Sequence, residues 1–167
     1  MGKGFLGQVL GDAGDVYAVM LAATGDQAAA KDALVFVETE ATRYNLSLAP
    51  LAKAYAQLLV SFRSAGMPDH SRAIFLGMVS VWAAVRIPAA SRDESMHAVV
   101  HMVCSGRISK ETFRHLGEHI PGAVHVAALA MDTNPRSFME QLEFPGLATS
   151  EFLPKFAAAL REAFPTR

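Results

Sequence analysis

Apolar residues recur every three or four positions through much of the chain, and this spacing limits the fold more than any other feature. The recurring positions are Leu51, Ala54, Tyr55, Leu58, Leu59 and Phe62; Ile74, Phe75, Met78, Val81, Trp82 and Val85; and Met96, Val99, Val100 and Val103. This period matches one face of an α-helix. No clear alternating run is bounded by hairpin turn residues, so a sheet is not expected. The sequence therefore predicts an all-α fold: a compact multi-helix bundle of short and medium helices joined by Gly/Pro-containing turns.

Residues that cap or break helices divide the chain into segments. Gly25 and Gly106 suit helix ends, because glycine readily adopts the left-handed conformation found there. The expected helix starts are Asp26, Pro68, Ser91 with Glu94 as a capping box, Ser109, Asn134 followed by Pro135, and Thr149. A short strand at 33–37 is the weaker alternative, because alanines and glutamates surround it. We expect helices near 5–22, 26–45, 48–65, 68–87, 92–105, 110–119, 122–131, 135–143 and 150–164.

Composition sets limits on the domain organisation and on the partners. The 167 residues suit one helical domain, 1–167, and the shorter helices after Gly106 leave subdomains 1–106 and 107–167 as the alternative. The net charge of −1 provides no general field that would attract DNA or an anionic membrane. The longest apolar run, 73–85, is too short to span a membrane. Hydrophobic residues make up 51% of the chain, which indicates a large core or a surface reserved for partners.

Two histidine patterns raise the question of a metal site. His115, Glu118 and His119 match the H-x-x-E-H pattern of a zinc hydrolase, in which the glutamate activates water. Gly117 and Pro121 oppose this hypothesis, since they weaken and end the short helix that would carry the ligands.

The second pattern places three metal-binding residue types on one stripe of a helix. His97, His101 and Cys104 lie at positions i, i+4 and i+7. A structural zinc site normally needs four ligands, and we expect Cys104 in or near the core instead. Cys104 is the single cysteine, which excludes an internal disulfide and fits a reducing compartment. We therefore predict no metal, no cofactor and no catalytic residue, and expect that the chain is not an enzyme.

A helix-turn-helix DNA reader is also disfavoured. Its recognition helix would be 122–131, which has no Lys or Arg and offers only His125 as a polar side chain. A major-groove reader requires donors for base edges and contacts to phosphates. We therefore expect no specific nucleic acid as a partner.

Several segments resemble, in the same order, the N-terminal region of bacteriophage tail tape-measure proteins. The most specific is 105–123, SGRISKETFRHLGEHIPGA. The others are AATGD at 22–26, LSLAPLAKAY at 46–55 and EFLPKFAAALREAF at 151–164. Together they extend over roughly 15–164. The family does not require His119, and it commonly has other residues where His115 stands.

The resemblance implies a structural role in tail assembly and length determination. The implied partners are tail tube and tail-assembly chaperone proteins, and the implied location is the virion tail and, during assembly, the host cytoplasm. The apolar composition leaves self-association as a further possibility, and we expect no membrane as a partner of this segment. Family members are usually much longer, so we expect an excised domain or a shortened relative. Even as one helix, 167 residues would reach only about 250 Å. A zinc hydrolase and a helical adaptor outside phage biology remain the alternatives.

Overall fold

The computed structural model describes residues 15–165, and it confirms the prediction of an all-α fold. Within that range the helices are α1 (15–24), α2 (Gln27–Tyr44), α3 (Leu48–Ser64), α4 (Ser71–Ala84), α5 (Ala89–Ser105), α6 (Lys110–His119), α7 (Ala123–Ala130), α8 (Pro135–Gln141) and α9 (Thr149–Ala163). A 3₁₀ turn at Pro68–His70 stands where the predicted helix 68–87 was to begin. The 5–14 portion of the predicted first helix lies outside the described residues. None of the described helices has both the length and the apolar composition that spanning a membrane requires.

Most of the predicted helix ends are confirmed. The side chains of Asp26, Ser109 and Asn134 each accept a hydrogen bond from a backbone N–H in the first turn of α2, α6 and α8. These bonds satisfy donors that have no partner within the helix. Gly106 ends α5 with a φ of +70°, which is the left-handed conformation that favours glycine.

Two predicted helix starts are wrong. α5 begins at Ala89, and Ser91 and Glu94 lie inside it. Ala89 and Ala90 are strong helix formers, so the helix starts directly after Pro88 without a side-chain cap. In α9 the cap position belongs to Ala148. Thr149 is the first helical residue, and its hydroxyl donates a buried hydrogen bond of 2.8 Å to a backbone carbonyl of α5.

The prediction that no sheet forms is wrong at one place. β1 (Arg107–Ile108) pairs antiparallel with β2 (Leu147–Ala148) in a two-stranded sheet. Strands of two residues are too short to give an alternating pattern, which explains why the sequence did not reveal them. The two strands join the segment just before α6 to the segment just before α9.

The chain divides into two compact units, Met1–Val60 and Ser61–Arg167. In the described part of the first unit, buried residues such as Met20, Val37 and Leu58 form the apolar interior. The rings of Phe36 and Tyr55 join α2 to α3, with centroids 5.1 Å apart. Gly106, where the sequence suggested a subdomain boundary, lies inside the second unit, because α4 packs against α9 and α5 packs against α6 across it.

In the second unit, α4 packs against α9 and is joined to α5 by a hydrogen bond. Gly77 of α4 lies so close to α9 that a Cβ at this position would be 3.1 Å from the Cα of Ala157. On the other side, the indole N–H of Trp82 donates a buried hydrogen bond of 3.0 Å to the hydroxyl of Ser95 on α5. The small residues allow close helix packing, and the hydrogen bond satisfies the one polar group of the buried tryptophan.

Four phenylalanines form an aromatic cluster that joins α6, α8 and α9. Phe113 contacts Phe138, Phe152 and Phe156, with ring centroids 4.9 to 6.1 Å apart. Phe152 also stacks on Phe138 and Phe156. All four side chains are buried. We refer to these four residues as the phenylalanine cluster.

We expect Phe138→Ala to lower the free energy of unfolding by about 3–5 kcal/mol, because it removes buried apolar surface and leaves a cavity. The measurement is urea unfolding followed by circular dichroism. Phe144→Ala is the matched control, since Phe144 is fully exposed and its loss should change stability by less than about 0.5 kcal/mol. Equal effects of the two substitutions would contradict the described core.

A second pair of variants tests the contact between α4 and α9. Gly77→Ala should destabilise by on the order of 1 kcal/mol, because crowding against the backbone of Ala157 outweighs the gain in helix propensity. Gly117→Ala should stabilise by about 0.5–1 kcal/mol, because no heavy atom would lie within 4 Å of the added Cβ. Thermal unfolding of both variants measures these changes, and a stabilising Gly77→Ala would refute the close approach.

Candidate functional site

The packing of α5 against α6 brings several histidines and glutamates to one surface. The turn at Gly106 and strand β1 reverse the chain, and the capping box formed by Ser109 and Thr112 starts α6. One face of α6 buries Phe113 and Leu116. The opposite side therefore presents His115, Glu118 and His119 to the surface.

His115 lies at the centre of this group. Its Nε2 atom is 3.4 Å from Oε2 of Glu94 on α5, and its Nδ1 atom is 3.8 Å from Oε2 of Glu118. The rings of His115 and His119 are nearly perpendicular, with centroids 5.4 Å apart. Both nitrogens of one imidazole thus face carboxylates, and a second imidazole lies beside it.

The structure adds Glu94 to the residues that the H-x-x-E-H pattern contains. One possible ligand atom from each of Glu94, His115 and His119 lies within 4.8 Å of the other two. The zinc-hydrolase hypothesis assigns Glu118 to the activation of water, whereas the structure places its carboxylate beside Nδ1 of His115. We refer to Glu94, His115 and His119 as the α5–α6 triad.

The sequence does not indicate Glu94 as a site residue, because Glu94 fits a capping box with Ser91. Once α5 begins at Ala89, Glu94 lies beyond the first turn and its side chain can face α6. A sequence feature that could have revealed it is the spacing of Glu94, His97 and His101, which places all three on one face of a helix. That they face α6 depends on tertiary packing.

The second histidine pattern considered in the sequence is not assembled into a metal-binding group. His97, His101 and Cys104 are all exposed on α5, and none of them belongs to the triad. The expectation that Cys104 lies in or near the core is wrong: its thiol is exposed. The apolar stripe of α5 is formed by Met96, Val99 and its neighbours, and Cys104 falls on the other side.

A surface groove of about 570 Å³ adjoins the triad. Its lining residues are His97, Ala98, His101, Ser109, Glu111, Thr112 and His115. The groove therefore contains three imidazoles and one carboxylate, and His115 belongs both to the groove and to the triad. Because the side chains of His115 and Glu94 are about half exposed, at 46% and 49%, solvent weakens the electrostatic interaction between them.

A second surface feature is an exposed aromatic side chain on a loop whose backbone accepts hydrogen bonds from a side chain of β1. The guanidinium group of Arg107 donates hydrogen bonds of 3.3 and 3.0 Å to the backbone carbonyls of Pro145 and Gly146. These bonds fix the loop between α8 and β2, yet Phe144 in this loop is fully exposed. Leu129 on α7 is also largely exposed. Large contiguous apolar patches mark surfaces that bind other proteins, whereas single exposed apolar side chains are common on any protein surface.

The triad and its neighbours combine two imidazoles with carboxylates, which is a donor set able to hold a divalent transition metal. The exposed Phe144 offers a different chemistry, the burial of apolar surface against a partner. No protein-family model, curated protein or solved structure matches the chain.

Proposed function

We propose that this chain is a structural assembly domain of a tail tape-measure protein from a phage or a phage-derived particle. It acts in tail assembly and length determination through contacts with tail tube and tail-assembly chaperone proteins, and it catalyses no reaction. Its place is the virion tail and, during assembly, the host cytoplasm. The resemblance of several segments, in order along 15–164, is the basis of this proposal.

The observation that carries the proposal is the way the most specific of these segments folds. Residues 105–123 comprise the turn at Gly106, strand β1, helix α6 and the break before α7. The closing segment, 151–164, lies largely in α9, which carries two members of the phenylalanine cluster. Of the four segments that resemble the family, 105–123 and 151–164 are therefore in direct contact, through Phe113, Phe152 and Phe156. A coherent folded element is what a domain for assembly requires.

Binding by contact also needs a surface with apolar groups. Phe144 and Leu129 supply such groups in the second unit. An aromatic side chain on ordered backbone loses little conformational entropy when it is buried by a partner. We therefore assign the loop between α8 and β2 to the partner-binding surface.

The experiment is co-expression of the chain with tail tube and tail-assembly chaperone proteins, whose genes we expect to flank that of a tape-measure protein. We expect co-purification, and we expect Phe144→Ser to weaken the association at least about tenfold, as removal of a buried aromatic anchor does. Size-exclusion chromatography with light scattering and a binding titration measure both results.

Arg136→Ala is the matched control, because this side chain on α8 is 90% exposed and makes only a surface ion pair with Glu140. It should leave the association unchanged. A chain that stays monomeric and binds none of the tail proteins would contradict the proposed function. Tight association that Phe144→Ser does not weaken would instead contradict the assigned surface.

A further inference from the structure

We propose that the α5–α6 triad is a binding site for a divalent transition-metal ion, with Glu94, His115 and His119 as ligands. Glu118 is a positioning residue that orients the ring of His115. This inference is independent of the proposed role in tail assembly, since it depends only on side chains at the surface between α5 and α6.

The distances are close to those of a metal site. With metal–ligand bonds of about 2.0–2.2 Å, neighbouring ligand atoms in a tetrahedral zinc site are roughly 3.4 Å apart. Nε2 of His115 and Oε2 of Glu94 are already separated by 3.4 Å. The ligand atoms of all three residues lie within 4.8 Å of one another, so small side-chain rotations complete the geometry.

The other nitrogen of His115 faces the kind of group that usually supports a metal ligand. A histidine that binds metal through one nitrogen commonly donates the N–H of the other to a carboxylate or a carbonyl. Nδ1 of His115 is 3.8 Å from Oε2 of Glu118. This distance is longer than a hydrogen bond, so in the proposed site a small rotation brings Oε2 of Glu118 to the N–H of Nδ1 and leaves Nε2 for the metal. That role differs from the water activation that the sequence pattern suggests.

The donor set defines the class of ion. Two imidazoles and one carboxylate suit Zn²⁺ and neighbouring first-row metals better than Ca²⁺ or Mg²⁺, which prefer oxygen ligands. Three protein ligands leave a fourth position for water or for a group from a partner. The ligands come from two helices on either side of the turn at Gly106, so bound metal would tie α5 to α6.

The test uses the full chain, freed of any affinity tag and of chelators, and titrated with Zn²⁺ in a calorimeter at mildly alkaline pH. We expect one ion per chain. Glu118→Gln should weaken binding by about 10- to 100-fold, as loss of a group that supports a ligand does. Glu94→Gln and His119→Asn should each weaken binding more than Glu118→Gln does, because they change the ligands themselves. With free zinc about 100-fold above Kd, the wild-type Tm should rise by roughly 5–10 °C.

The matched control is one variant with His97→Ala, His101→Ala and Cys104→Ser, which removes the three possible metal ligands of the second histidine pattern from the surface of α5. It should bind Zn²⁺ as the wild type does. Circular dichroism checks that every variant is folded, and nitrogen-15 spectra of the histidines identify the metal-bound nitrogen of His115 as Nε2. The proposal is overturned if stoichiometric binding is absent, if the control variant loses it, if Glu94→Gln leaves it unchanged, or if Nδ1 of His115 binds the metal.

Discussion

Burial of the phenylalanine cluster is the interaction on which the second unit most depends. Phe113 of α6, Phe138 of α8, and Phe152 and Phe156 of α9 come from distant parts of the chain and share one apolar interior. Large aromatic side chains remove much apolar surface from water, so their burial favours the compact state strongly. Because Phe113 is fixed on the inner face of α6, His115 and His119 must lie on its outer side. The same contact that stabilises the unit thus places the candidate site.

Much of the fold was predictable from local rules. Helix type followed from the spacing of apolar residues, and helix ends followed from Asp26, Gly106, Ser109 and Asn134, whose side chains or backbone satisfy groups only a few residues away. The start of α5 was predicted wrongly for a local reason, the helix propensity of Ala89 and Ala90. The other errors in the fold arose where residues distant in sequence decide the structure. β1 and β2 each contain two residues, and Thr149 bonds to a carbonyl of α5. A pattern of neighbouring residues cannot show which distant strand or carbonyl group a residue will pair with.

The candidate site divides in the same way. His115, Glu118 and His119 were visible as a local pattern, because they lie on one turn of one helix. Glu94 was not, because its proximity to His115 arises only when the turn at Gly106 brings α6 against α5. The prediction that Cys104 is buried was wrong. Free cysteine is commonly buried, but this position lies on the solvent-facing side of α5. Whether Glu94 and Cys104 belong to a site thus depends on which way each position faces on α5, and residue type alone does not show this.

We infer that α4, α6, α8 and α9 unfold as one cooperative body, because the phenylalanine cluster joins α6, α8 and α9 and because α4 packs against α9. Native-state hydrogen exchange tests it most directly, because it resolves the opening free energy of each helix. We expect the slowest amides of α4, α6 and α9 to open together, with the free energy and denaturant dependence of global unfolding. Exchange of α6 and α9 through a separate, low-energy opening while α4 stays protected would contradict it.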